Sequence, residues 1–144
     1  FLSGAKEGMH ATASILPALV GLITSVTMLK ASGALDLFTA ALQPVARFLG
    51  LPAEVMPLTL LRPISGSGSI ALVDQILGQV GPDSFAGRVA AVMMGSTETT
   101  FYAVAVYYGA VGVKKMRHTI PSALAADVSS FLLSALVVRF LFYR

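Results

Sequence analysis

Cysteine is absent from the 144 residues, which excludes disulfides, thiolate metal sites and cysteine nucleophiles and leaves the redox compartment open. Charge is scarce too. Asp, Glu, Lys and Arg make up 12% of the chain, where a soluble domain carries about 25%. Histidine occurs only at His10 and His118, so no metal-spaced histidine pair exists, and neither a P-loop nor a dinucleotide fingerprint is present. Ser67 stands between two glycines, but its surroundings are not Gly-x-Ser-x-Gly and His118 sits in a basic cluster, so intramembrane hydrolysis is not the reading. The formal net charge is +3. Its basic residues are scattered among apolar segments with no aromatic-interleaved stripe, which argues against nucleic acid and for membrane flanks.

What remains is 56% hydrophobic, with a mean hydropathy of +0.80. This is the composition of a membrane protein. From Ala11 to Leu29 there is no ionisable residue, a run as long as a bilayer span requires, bounded by Lys6 and Lys30. Nothing reads as a cleavable signal peptide, and a chain opening on Phe1 is expected to be a trimmed piece targeted by its own spans.

A first span is expected over Met9 to Leu29, kinked at Pro17. Ala34 to Phe48 places Leu35, Phe38, Leu42, Val45 and Phe48 near one helical face, with Asp36, Gln43 and Arg47 elsewhere, so it reads as an amphipathic helix along the interface. Two apolar runs, Val55 to Leu61 and Ile70 to Leu77, flank Arg62-Pro63-Ile64-Ser65-Gly66-Ser67-Gly68-Ser69. Each run is too short to cross alone, so together they make a re-entrant hairpin or a broken helix with an inward-facing Gly/Ser tip. Gly81-Pro82-Asp83-Ser84 is a turn with an N-cap signal for a helix from Phe85. That helix is expected to break at Gly95 to Thr100 and resume to Val111; a last span follows over Ile120 to Phe142, with Arg139 near its end. Tyr107 and Tyr108 read as interfacial anchors. The two Gly/hydroxyl interruptions echo one another, and paired broken segments point to a transporter's binding site.

Met94-Gly95-Ser96-Thr97-Glu98-Thr99-Thr100-Phe101-Tyr102 is the tract with the most chemistry. Glu98 is the only charged residue from Val89 to Val113, which puts a carboxylate near mid-bilayer. With the hydroxyls of Ser96, Thr97, Thr99 and Thr100 and carbonyls freed around Gly95, it suits a polar solute or a cation; the alternative is a structural acid paired with Arg62, Arg88 or a partner chain. Asp127, flanked by small residues, is either a second site acid or part of a close helix contact. Arg62 either holds an anion with its forked donors, neutralises Glu98 or reaches headgroups. Ser65, Gly66, Ser67 and Gly68 either bind an anion through amides at a helix N-terminus or simply make a tight turn.

Taken together, Lys6-Glu7-Gly8, Lys30-Ala31-Ser32-Gly33-Ala34, Leu61-Arg62-Pro63-Ile64-Ser65-Gly66-Ser67-Gly68, Gly81-Pro82-Asp83-Ser84-Phe85, Gly95-Ser96-Thr97-Glu98-Thr99-Thr100-Phe101-Tyr102 and Lys114-Lys115-Met116-Arg117-His118 resemble the spore maturation protein B family, over nearly the whole chain. That family carries the Gate, or nucleoside recognition, domain, also similar to parts of concentrative nucleoside transporters and ferrous-iron transporters. The resemblance implies a multi-pass protein of the bacterial plasma membrane that acts with a sister subunit, spore maturation protein A. In the nucleoside transporters a similar Gly-x-Thr-Glu tract lies at the tip of a broken helix and contacts solute, which assigns that role to Gly95, Thr97 and Glu98. This chain holds one such tract, so a complete site calls for a second subunit.

The expectation is therefore a single all-α integral membrane domain over residues 1–144 with two to three full spans, an interfacial amphipathic helix, a re-entrant or broken hairpin and a discontinuous helix, resembling half of a nucleoside-transporter core. Its function is expected to be non-enzymatic transport of a small polar or ionic solute, without an organic cofactor, with sodium or a proton as possible coupling ion. The alternative is a non-transporting scaffold or sensor. Partners are membrane lipid and a protein A-like subunit or a second copy. The substrate-binding set is Arg62, Ser65, Gly66, Ser67, Gly68, Gly95, Ser96, Thr97, Glu98, Thr99, Thr100 and Asp127. Ser67 and Thr97 are expected to approach, either within one chain or across an interface with the sister protein or a second copy, and the positive-inside rule puts Lys114, Lys115 and Arg117 in the cytoplasm with Arg144 outside.

Overall fold

The computed structural model describes residues 2–143; several side chains of the first helix and those of Leu35 and Asp36 lie outside the described set, as do Lys30's side chain and Arg144. Seven α-helices follow in order: α1 (Leu2–Ala31), α2 (Ala34–Phe48), α3 (Met56–Leu61), α4 (Gly66–Val80), α5 (Phe85–Ser96), α6 (Thr100–Ala110) and α7 (Thr119–Phe142), with a 3-10 turn, Ala53–Val55, before α3. No strand occurs among the described residues.

Two stretches of the described residues are long and apolar enough to cross a membrane, Phe85–Ala110 taken through its break and Thr119–Phe142. The expected first span lies within α1, a helix of 30 residues that continues through Pro17 and packs along α6. On α7 polar side chains are buried beside apolar ones, while large apolar ones face outward. Asp127, Phe131, Ser134, Ala135 and Val138 face the bundle, whereas Leu133, Leu136 and Phe140 are exposed. Helix α2 turns Ala46 inward and likewise leaves Leu37, Phe38 and Phe48 exposed. Apolar side chains left outside and polar ones held inside are what a lipid solvent selects, because hydrocarbon penalises unpaired polar groups and not exposed leucine.

The core joins Val55 and Leu58 to Val89 and Met93 of α5 and Val138 of α7. Ala86 and Ala90 on α5 and Ala135 on α7 are the small residues that let these helices approach. Ser84 caps α5, its Oγ accepting from Gly87 N at 3.0 Å. Gly87 must be glycine: a Cβ there would lie 2.2 Å from Gly81 O.

The break in the α5–α6 helix is shorter than expected and begins later. Helix continues through Gly95 and Ser96, and only residues 97–99 leave it, with Thr97 extended at φ −130°, ψ 162°. The Gly/Ser segment also differs from the expected loop. Gly66, Ser67, Gly68 and Ser69 form the first turn of α4, because Ser65 caps it, accepting from Gly68 N at 3.1 Å. The turn between α3 and α4 is therefore residues 62–65.

Both outer ends of the α3–α4 pair lie at one end of the bundle. A Cβ on Gly50, just ahead of the 3-10 turn, would sit 3.9 Å from Arg139 Nη1. Arg139 also lies over the ring of Phe85, which follows the turn out of α4. The 62–65 turn is thus directed along α5 toward its break.

Candidate functional site

A helix that stops at Ser96 and restarts at Thr100 frees carbonyls at the end of α5 and amides at the start of α6. In a membrane these must find partners inside the protein. Part of that demand, on the carbonyl side, is met by one side chain from the other interruption. Arg62, 4% exposed, donates from Nε to Thr97 Oγ1 at 3.0 Å and from Nη1 to Thr99 Oγ1 at 3.2 Å. Its Nη2 donates to Met94 O at 3.2 Å and also to Thr97 O. A guanidinium suits this place because its planar fork spans several acceptors at once, and its charge faces the partly negative carbonyl end of α5.

Backbone completes the junction. Phe101 N in the first turn of α6 donates to Pro63 O at 2.8 Å. Gly66 brings α4 so near that a Cβ would lie 3.0 Å from Thr99 Oγ1. Thr97 Oγ1, while accepting from Arg62, also donates to Met93 O at 2.9 Å. Thr97, Thr99 and Thr100 are consequently all buried.

From α7, Asp127 reaches the same place. It is 7% exposed, and its Oδ2 accepts from Thr100 Oγ1 at 2.7 Å. A carboxylate beside the first residue of α6 also lies at that helix's positive end. Ser96 Oγ is 2.8 Å from Ser130 Oγ and 3.4 Å from Ser134 Oγ, so hydroxyls tie the end of α5 to α7. At the far end of α6, Tyr108 Oη is 2.7 Å from Thr119 Oγ1, a link that joins α6 to the start of α7.

Of the residues singled out from sequence, Arg62, Gly66, Thr97, Thr99, Thr100 and Asp127 are drawn into one buried polar junction. Ser65 caps α4 beside it. Gly68 supplies the amide that Ser65 accepts from, and Ser67 is exposed; Arg62–Thr97, Pro63–Phe101 and Gly66–Thr99 make the contacts between the two segments. Gly95, Ser96 and Glu98 stay exposed at the break. Glu98 forms no ion pair with Arg62 or Arg88: the latter pairs with Asp83 at 3.0 Å, the ion pair found among the described residues. Sequence reasoning missed Pro63, Ser130 and Ser134. The serines' four-residue spacing on an otherwise apolar helix was the available signal; nothing local marks Pro63 O as an acceptor.

A helix bundle that leaves large apolar side chains exposed along α2 and α7, buries polar ones at a discontinuous helix and stitches that break with a buried arginine defines a helical membrane protein. The chain belongs to the Gate, or nucleoside recognition, family, whose model matches residues 12–114, and within it to the relatives of spore maturation protein B. It is 45% identical over 142 residues to spore maturation protein B of Bacillus subtilis (strain 168), covering 99% of this chain and 80% of that protein. No solved structure matches it. The family match includes the 62–65 turn and the break, whereas α7, which brings Asp127 and Ser130, lies beyond it.

Proposed function

We propose that the chain is half of a two-subunit membrane transporter for a small polar or ionic solute, paired with a spore maturation protein A-like subunit or a second copy, and acting in spore maturation. The observation that carries this reading is Glu98: an exposed carboxylate at a helix break where the Thr97, Thr99 and Thr100 hydroxyls are engaged by Arg62 and Asp127 and Phe101 N by Pro63 O. In this reading α3 and α4 enter and leave the membrane on the same side as a re-entrant hairpin, and the fixed break between α5 and α6 presents Glu98 to a cavity completed by the partner. A solute that binds one arrangement of the two subunits better than the other would shift their equilibrium. The role is non-enzymatic, and sodium or a proton is the candidate coupling ion. The family's nucleoside-recognition description and the maturation role named in the Bacillus relative support this assignment.

Glu98→Gln keeps shape and loses charge. It is expected to abolish solute-dependent thermal stabilisation of the purified assembly, and the maturation phenotype, with expression and assembly retained. If the assembly itself is lost, Glu98 docks a partner and the chain is a scaffold.

A further inference from the structure

The end of the bundle marked by Gly50, Phe85 and Tyr143 holds a second polar cluster, remote from the break. There Arg88 is paired with Asp83. Its Nη2 lies 3.0 Å from Asp83 Oδ1, its Nε donates to Asp83 O, and its guanidinium lies 4.1 Å over the ring of Phe142. Tyr143 Oη donates to Asp83 O at 3.0 Å, and its ring meets that of Phe85 edge-on at 5.5 Å.

Arg139 differs from Arg88 in having its charge unspent. Among the described residues its guanidinium has no carboxylate or hydrogen-bond acceptor, and it lies 5.7 Å over the Phe85 ring. With Phe85 and Tyr143 it lines an open cavity of about 170 Å³. The Phe85 ring attracts the guanidinium and keeps it beside the cavity. Among the described residues of this cluster, the Asp83–Arg88 pair cancels its own charge and leaves Arg139 as the net cation. It stands four residues short of Tyr143, at the tail of a helix long enough to cross a membrane, among exposed Phe140, Leu141 and Phe142. That is the level of lipid headgroups, where aromatic rings collect and phosphate supplies the abundant anion.

We propose that Arg139, framed by Phe85 and Tyr143, is a phosphate-binding site that takes the headgroup of an anionic phospholipid. The forked N–H groups donate to two phosphate oxygens, while the rings and the apolar end of α7 lie against the glycerol and upper acyl chain. Bound lipid would bridge α5 and α7, fixing the end of the bundle from which the α3–α4 pair departs.

The test is native mass spectrometry of the full chain released from micelles holding equal phosphatidylglycerol and phosphatidylcholine. Preferential retention of one phosphatidylglycerol per chain is expected, weakened about fivefold in Arg139→Gln and only partly in Arg139→Lys. Lys115→Gln, in the basic cluster at the opposite end, should leave that molecule bound. Equal retention of the two lipids, or loss through Lys115→Gln and not Arg139→Gln, overturns the proposal. Inorganic phosphate is the second probe: displacement of the lipid by millimolar phosphate, with equal thermal stabilisation, would make this a free-phosphate site and sink the lipid assignment. Arg139 is exposed, so its variants should unfold at the wild-type temperature in phosphatidylcholine alone.

Discussion

Arg62 Nε lies 3.0 Å from Thr97 Oγ1, so a cation in one interrupted segment closes the interruption of another that follows it in the chain. Removing the side chain uncovers four acceptors at once. Arg62→Ala should cost about 1–3 kcal/mol for each acceptor left buried and unpaired, and lower the midpoint of thermal unfolding in detergent by several degrees. Arg62→Lys, a point charge without the fork, should recover a minor part. An unchanged midpoint with solute binding lost would move Arg62 from the frame of the junction to the solute.

Gly66 has no room for a side chain without displacing Thr99 Oγ1. Gly66→Ala is expected to destabilise by about 1 kcal/mol, and Gly66→Val by more, as overpacking does. In Thr99→Ala the obstructing hydroxyl is gone. The double variant Gly66→Ala, Thr99→Ala should therefore be more stable than the sum of the single changes, a coupling readable from a double-mutant cycle. Strict additivity would show that the two residues do not meet.

Because the chain has no cysteine, proximity can be read by oxidation. Ser96→Cys with Ser130→Cys should form a disulfide within one chain, since their hydroxyl oxygens are 2.8 Å apart. Ser67→Cys with Thr97→Cys should not close within one chain, since Ser67 is exposed and Thr97 is buried. A link between those two across chains would place Ser67 at the subunit interface.

Helix α7 separates two turns that should be labelled from opposite sides of the membrane. Lys115 precedes α7, and Pro82 adjoins Asp83, which accepts from Tyr143 at the other end of α7. Under the positive-inside rule an impermeant thiol reagent reaches Pro82→Cys from outside intact cells and reaches Lys115→Cys only after permeabilisation. Labelling of Lys115→Cys in intact cells would invert the orientation.

Much of the framework follows from local pattern, and the physical reason is that hydropathy, capping and turn chemistry act over a few residues. The apolar face of α2, Ser84 as the cap of α5 and the interruption near Thr97 were all legible in that way. Local reading failed where a cap extended a helix: Gly66 to Ser69 look like a loop, yet Ser65 accepts from Gly68 N and draws them into α4. The exposed carboxylate of Glu98 was nameable from composition alone, since one acid in a long apolar stretch is conspicuous in any arrangement. What it is surrounded by was not. Arg62 has several acceptable partners by charge, Glu98 among them, and only the packing of the α3–α4 pair against α5 decides for Thr97, Thr99 and the carbonyl end of α5. Asp127 reaches Thr100 because Phe131, Ala135 and Val138 turn that face of α7 toward the bundle. Such pairings join residues far apart in the chain, and their energy exists only once the helices are docked, so the sequence determined which groups need partners and the tertiary structure decided which partners they find.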